Sequence, residues 1–137
     1  MNKLNVVLLS ALALVSAQAC ASTGSVKVCY VPFNYETMFA TTPSSIFETT
    51  CKTLKSTDVF AIQLQKYLAD ESNSAKDQPE FDSLVVRLGV AEEGKPLVFL
   101  DREGVVMISY KRYQLPASTF GSLKALLKDY FGDSVDK

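Results

Sequence analysis

The sequence predicts an α+β fold: one antiparallel sheet, made of N-terminal strands or a hairpin plus a C-terminal three- to four-stranded meander, with two main helices packed on one face. Three observations carry this. Residues 84–115 are short apolar runs separated by Gly-containing turns, the pattern of consecutive hairpins. The chain closes on an apolar stripe at helical spacing. Strands, a helix, the meander and a helix follow in that order, which suits helices gathered on one side of a sheet better than alternating β-α units.

The first twenty residues are read as a cleaved signal peptide and set apart from the fold. Lys3 begins it, residues 4–15 are apolar, and Ala17-Gln18-Ala19 is a small-x-small cleavage signature. Its apolar run, about a dozen residues, is shorter than the ~20 needed to span a bilayer. Cleavage falls at Ala19/Cys20 or at Ala21/Ser22, leaving residues 21–137 as a single domain. Cys20 is a candidate lipidation site, because a Cys at the first mature position is what bacterial lipoproteins acylate. The Leu usual three places before such a Cys is replaced here by Ala17. Of 14 basic side chains, removal of Lys3 leaves 13 against 15 acidic ones. A mature charge near −2 lacks the basic excess that nucleic acid or an anionic bilayer demands. A membrane enters only through an N-terminal lipid.

Cys29 and Cys51 remain as an even pair in an exported chain, which predicts a structural disulfide. Their spacing of 22 is far from the Cys-x-x-Cys of redox centres. Alternation through Val26, Val28 and Tyr30, then Phe33, Tyr35 and Phe39, predicts a strand, a kink at Val31-Pro32 and a second strand. Residues 46–54 satisfy both a capping box and a β-branched strand pattern, and are assigned as a strand pairing with residues 35–39. Ser56-Thr57-Asp58 caps a helix running to about Glu71, with Phe60, Leu64, Tyr67 and Leu68 on one stripe. The loop 72–78 and Pro79 lead into the meander, whose turns are Glu92-Glu93-Gly94-Lys95 and Asp101-Arg102-Glu103-Gly104. The final helix opens at Pro116 and Ser118. It carries Phe120, Leu123, Leu126, Leu127, Tyr130 and Phe131, and stops at Gly132.

Chemistry is constrained by what is missing. The chain has no histidine, which removes the usual general base and the commonest nitrogen ligand, and no glycine-rich phosphate loop. No catalytic residue, cofactor or metal site is therefore assigned. Asp101 with Glu103, or Glu92 with Glu93, could serve a carboxylate-based hydrolase only if turn carboxylates left their ordinary titration range. Pro96 to Phe131, a hairpin followed by a helix, resembles the closing half of a thioredoxin-type domain over about a quarter of the chain. It has no Cys-x-x-Cys, and no family follows from it.

Elimination leaves a non-enzymatic exported bacterial envelope protein, periplasmic or secreted, that acts by binding another protein as an inhibitor, immunity factor or assembly accessory. The alternatives are a small structural lipoprotein of the outer membrane tethered through Cys20, and the hydrolase. Arg and Tyr dominate energetic centres of interfaces, so the expected contact runs along the meander and its turn. It comprises Arg87, Asp101, Arg102, Glu103, Tyr110, Arg112 and Tyr113.

Overall fold

The computed structural model describes residues 24–36, 39–72 and 78–132; the segment read above as a signal peptide, the two expected cleavage positions and Cys20 lie outside them. Strand β1 (Ser25–Tyr30) buries Val26, Val28 and Tyr30 on one face and Cys29 on the other. It can do so because it is internal, paired antiparallel with β2 (Thr50–Lys55) and with β3 (Val86–Glu92). The meander continues through β4 (Val98–Asp101), β5 (Val105–Ile108) and β6 (Lys111–Gln114). All six strands form one antiparallel sheet in the order β2-β1-β3-β4-β5-β6. Cys29 and Cys51 are register partners on β1 and β2 and are joined by a disulfide.

Two strand assignments from sequence are corrected. Among the described residues of 33–39 there is no strand: the chain turns, with the Tyr35 N–H donating to the Pro32 carbonyl at 3.1 Å. Proline at 32 lacks the donor that a continuing ladder needs. Beyond it, Thr41 makes only an isolated bridge to Val85. Residues 46–54 are not one strand but two elements. Ser45–Glu48 is a single 3₁₀ turn, held at its start by the Thr42 N–H donating to Ser45 Oγ at 2.8 Å, and β2 begins at Thr50. The partner of β2 is β1, because the half-cystines must be neighbours.

Helix α1 (Val59–Leu68) is capped by Asp58, whose Oδ1 accepts from the Phe60 N–H at 2.9 Å, and it ends three residues before the expected Glu71. Helix α2 (Ala117–Phe131) ends at Gly132, whose φ of 81° suits a residue without Cβ. Both lie on the face that carries Val26, Val28, Leu88, Val90, Leu100 and Val106. They run across the strands in opposite senses. Phe60 near the start of α1 stacks on Tyr130 near the end of α2, with centroids 3.8 Å apart. At the other end Thr119 Oγ1 donates to Asp70 Oδ2 at 2.6 Å. Lys52 of β2 secures the far end of α2 by donating to the Tyr130 carbonyl at 3.1 Å, a cation at the negative helix terminus.

The opposite face carries a smaller core of Cys29, Val31, Ile46, Val86 and Phe99, with Phe47 and Phe81 packed against it. The 3₁₀ turn reaches the sheet because residue 89 is glycine: a Cβ there would stand 2.8 Å from Ile46 Cγ2. Gly104 does comparable work under α2. At φ +85° its Cβ would meet Phe120 Cγ at 2.9 Å.

Leu123 and Leu127 are fully buried under α2. Leu127→Ala is expected to cost about 2–5 kcal/mol in urea denaturation, as buried leucines do; a cost under about 0.5 kcal/mol would place this stripe outside the core.

Candidate functional site

The seven residues expected to form one contact strip divide into two groups. Arg87, Asp101 and Tyr113 are 2%, 1% and 1% exposed, so they are corrected to interior positions. Arg87 turns inward at an irregularity of the β3–β4 register between Val86 and Leu88. Its Nη2 donates to the Tyr35 carbonyl at 3.0 Å and its Nη1 to the Val86 carbonyl at 3.3 Å, while Nε has no acceptor among the described residues. Burial, then nearby Arg102, lowers its pKa. Strict alternation along β3 gives no sign of this, because the register irregularity is a tertiary feature.

Asp101 was expected at a solvated turn. Instead its Oδ1 accepts from the Glu103 and Val105 N–H groups, each at 2.9 Å, and its Oδ2 from the Asp82 N–H at 3.0 Å. Burial pushes its carboxyl above the usual range, against the pull of those donors. Both of its oxygens are thus engaged by backbone donors, while Glu103 is exposed in the turn. The Tyr113 hydroxyl donates to the Leu68 carbonyl at the end of α1, tying β6 to the helix layer. Burial pushes its phenol up to about 12.

The remaining four lie at the surface, on opposite ends of the sheet. Arg102 and Glu103 are exposed in the β4–β5 turn. Arg112 is half-buried and its Nε donates to Gln78 Oε1 at 3.4 Å. Tyr110 is 96% exposed in the β5–β6 turn. Its neighbour Ser109 has φ 53°, a left-handed conformation uncommon for a residue with a Cβ.

The same end of the sheet holds an apolar pocket of about 190 Å³. Leu68 and Ala69 of the α1 end form one wall, and Val90, Pro96, Val98 and Ile108 form the floor. Gln65, Glu92 and Lys95 line its polar side: Glu92 Oε2 accepts from Gln65 Nε2 at 3.0 Å and pairs with Lys95 Nζ at 3.1 Å. The volume is comparable with the ~150 Å³ cavity that admits benzene in a protein core. Sequence reasoning missed Gln65 and Glu92 because 27 residues separate them and only the placement of α1 joins them. A second ion pair, Lys111 Nζ to Glu71 Oε1 at 2.6 Å, stands beside Tyr110 in sequence. Among the described residues no three His, Cys, Asp or Glu side chains gather as metal ligands, and no helix is long and apolar enough to cross a membrane. Compared with protein-family models, curated proteins and solved structures, the chain matches none.

Tyr113→Phe is expected to lose about 1 kcal/mol near neutrality, by leaving the Leu68 carbonyl without its donor. Because folding raises the phenol from 10.0 to about 12, the stability it contributes is complete below pH 10 and disappears as pH approaches 12. Thermal unfolding of the two proteins should therefore show the parent's advantage at pH 8 and its loss between pH 10 and 12. Asp101→Ala should cost about 2–4 kcal/mol by stranding three N–H donors. Asp101→Asn should cost less, since one oxygen survives and only the Asp82 N–H meets an amide; equal losses would contradict the assignment.

Proposed function

We propose that this protein is exported to the bacterial envelope and acts there by binding another protein, as an inhibitor, immunity factor or assembly accessory, without catalysing a reaction. The observation that supports this best is Tyr110, an almost fully exposed aromatic ring on a left-handed turn, at the end of the sheet that also holds the open apolar pocket. A ring left in water adds nothing to the core, and tyrosine is among the residues that dominate binding energy at interfaces. Pro96 and the half-exposed Leu97 extend the apolar surface at that end. The Cys29–Cys51 disulfide suits an oxidising compartment, as the targeting segment does.

A photoreactive phenylalanine in place of Tyr110, introduced into the full chain in living cells, tests the reading. The expected result is one discrete protein adduct in the envelope fraction, absent when the same label replaces Ser122 on the exposed side of α2. Adducts from both positions, or from neither, would overturn it. Intact mass of the exported chain reports its address: a start at Cys20 or Ser22 is expected, and added acyl mass on Cys20 would make the protein a tethered binder.

A further inference from the structure

Among the described residues, strand β2 is outermost on its side of the sheet and pairs only with β1. Two observations fix which of its backbone groups face outward. Cys29 and Cys51 are direct partners with Cα atoms 4.0 Å apart. That is the spacing of a non-hydrogen-bonded pair, ~4.5 Å against ~5.5 Å for a hydrogen-bonded one. Just past the strand, the Ser56 N–H donates to the Gly24 carbonyl at 2.9 Å, which marks a hydrogen-bonded pair. The pairs alternate, and both observations give the same phase. Thr50, Lys52 and Leu54 therefore bond to β1, while Cys51, Thr53 and Lys55 turn their N–H and C=O groups away from it. The Lys55 carbonyl accepts from the Asp58 N–H at 2.9 Å. The N–H and C=O groups of Cys51 and Thr53 have no backbone partner among the described residues.

An edge with unsatisfied donors and acceptors is a template for another strand. The charge here indicates which kind. β1 and β2 carry Lys27, Lys52 and Lys55 and no carboxylate. Lys52 leans on Tyr130 and Phe131 and donates to the Tyr130 carbonyl, and neither it nor Lys55 has an ion pair among the described residues. At the opposite edge the cations are engaged internally, Lys111 with Glu71 and Arg112 with Gln78. A second copy of this chain would set two lysine-bearing, acid-free strands side by side, which like charge disfavours. The disulfide holds β2 against β1, so the edge is already ordered before a partner arrives.

We propose that the β2 edge receives an extended strand of a partner protein, added as a further strand of the sheet, with carboxylates opposite Lys52 and Lys55. These lysines are three residues apart on opposite faces, so the incoming strand needs acids three residues apart. This rests on the reading that the partner is a protein, and it uses a surface separate from the Tyr110 end.

The test titrates the ¹⁵N-labelled mature chain with a blocked hexapeptide of threonine and valine carrying glutamate at its second and fifth positions. The Cys51, Thr53 and Lys55 amides are expected to shift saturably and to exchange more slowly with deuterium; a peptide with lysine in place of glutamate should leave them unmoved. Thr53→Pro deletes one outward donor and leaves the β1 ladder intact, so the saturable shifts should vanish. Should that variant fail to fold, Lys55→Glu carries the test: it should weaken the glutamate peptide about two- to fivefold and admit the lysine peptide. Shifts that survive Thr53→Pro, appear only near Tyr110, or are absent with the glutamate peptide would overturn the proposal. So would self-association that perturbs the same amides without peptide. Tyr110→Ala should leave this titration unchanged, so failure of the Tyr110 crosslink and failure of the edge proposal are read separately.

Discussion

Two helices have to cover one face of six strands, and they manage it by lying across the strands rather than along them. Six strands at ~4.8 Å spacing make a sheet ~24 Å wide. The 15 residues of α2 extend ~22 Å and nearly match that width, whereas the 10 residues of α1 extend only ~15 Å. The aromatic residues occupy the places where this arrangement has to close. Phe60 and Tyr130 stack where the helices meet over β2, Tyr30 packs on Phe131 from β1, and Phe33 meets Phe120 edge-on near the β4–β5 turn. Since the shorter helix ends at Leu68, the upper parts of β3, β4 and β5 stay partly uncovered, and the pocket is that remainder.

The same constraint accounts for the buried polar groups. Where α1 ends, its last carbonyls need donors, and the Tyr113 hydroxyl supplies one from β6. At the opposite end of the meander the chain must cross between strands at the β4–β5 turn, where Phe120 of α2 packs over Gly104. There Asp101 gathers three amides, and the Arg102 N–H donates to the Val85 carbonyl at 3.0 Å. Arg87 holds the turn after Pro32 down on β3 through the Tyr35 carbonyl. Each group reads as a surface residue in isolation, and each is drawn inward by backbone atoms that a sheet end leaves unpaired.

That difference marks where the sequence was legible. The four meander strands, α2 with its Gly132 stop, the Asp58 cap and the disulfide follow from local patterns, because period, turn glycine and cysteine parity act over a few residues. The strand expected after Pro32 failed because a proline-blocked ladder found its alternative in a turn. The division at Thr49 failed to show because capping and β-branched signals overlap there, and only the pairing of Cys51 with Cys29 decides between them. Of the residues expected along the strip, Arg102 and Glu103 are surface turn residues as expected, whereas Tyr110, which alternation places in a strand, lies exposed in the β5–β6 turn. Arg87, Asp101 and Tyr113 depended on a register irregularity and on helix placement, neither of which has a sequence signature.

The placement of the disulfide ties the fold to its edge. The bond joins an internal strand to the outermost one, at a position where the ladder itself makes no hydrogen bond. Without it, β2 would depend on its bonds through Thr50, Lys52 and Leu54, and on packing of the half-buried Leu54, since its other residues are largely exposed. A six-residue edge so thinly buried is the kind of element that frays. The covalent link holds it extended while adding no side chain that would cover its outward backbone groups. Lysine on such an edge opposes pairing with like-charged strands, which keeps an ordered edge from becoming an indiscriminate one. Order from the cystine and selectivity from the lysines are separate properties, and both fall on the strand whose outward groups at Cys51 and Thr53 have no backbone partner among the described residues.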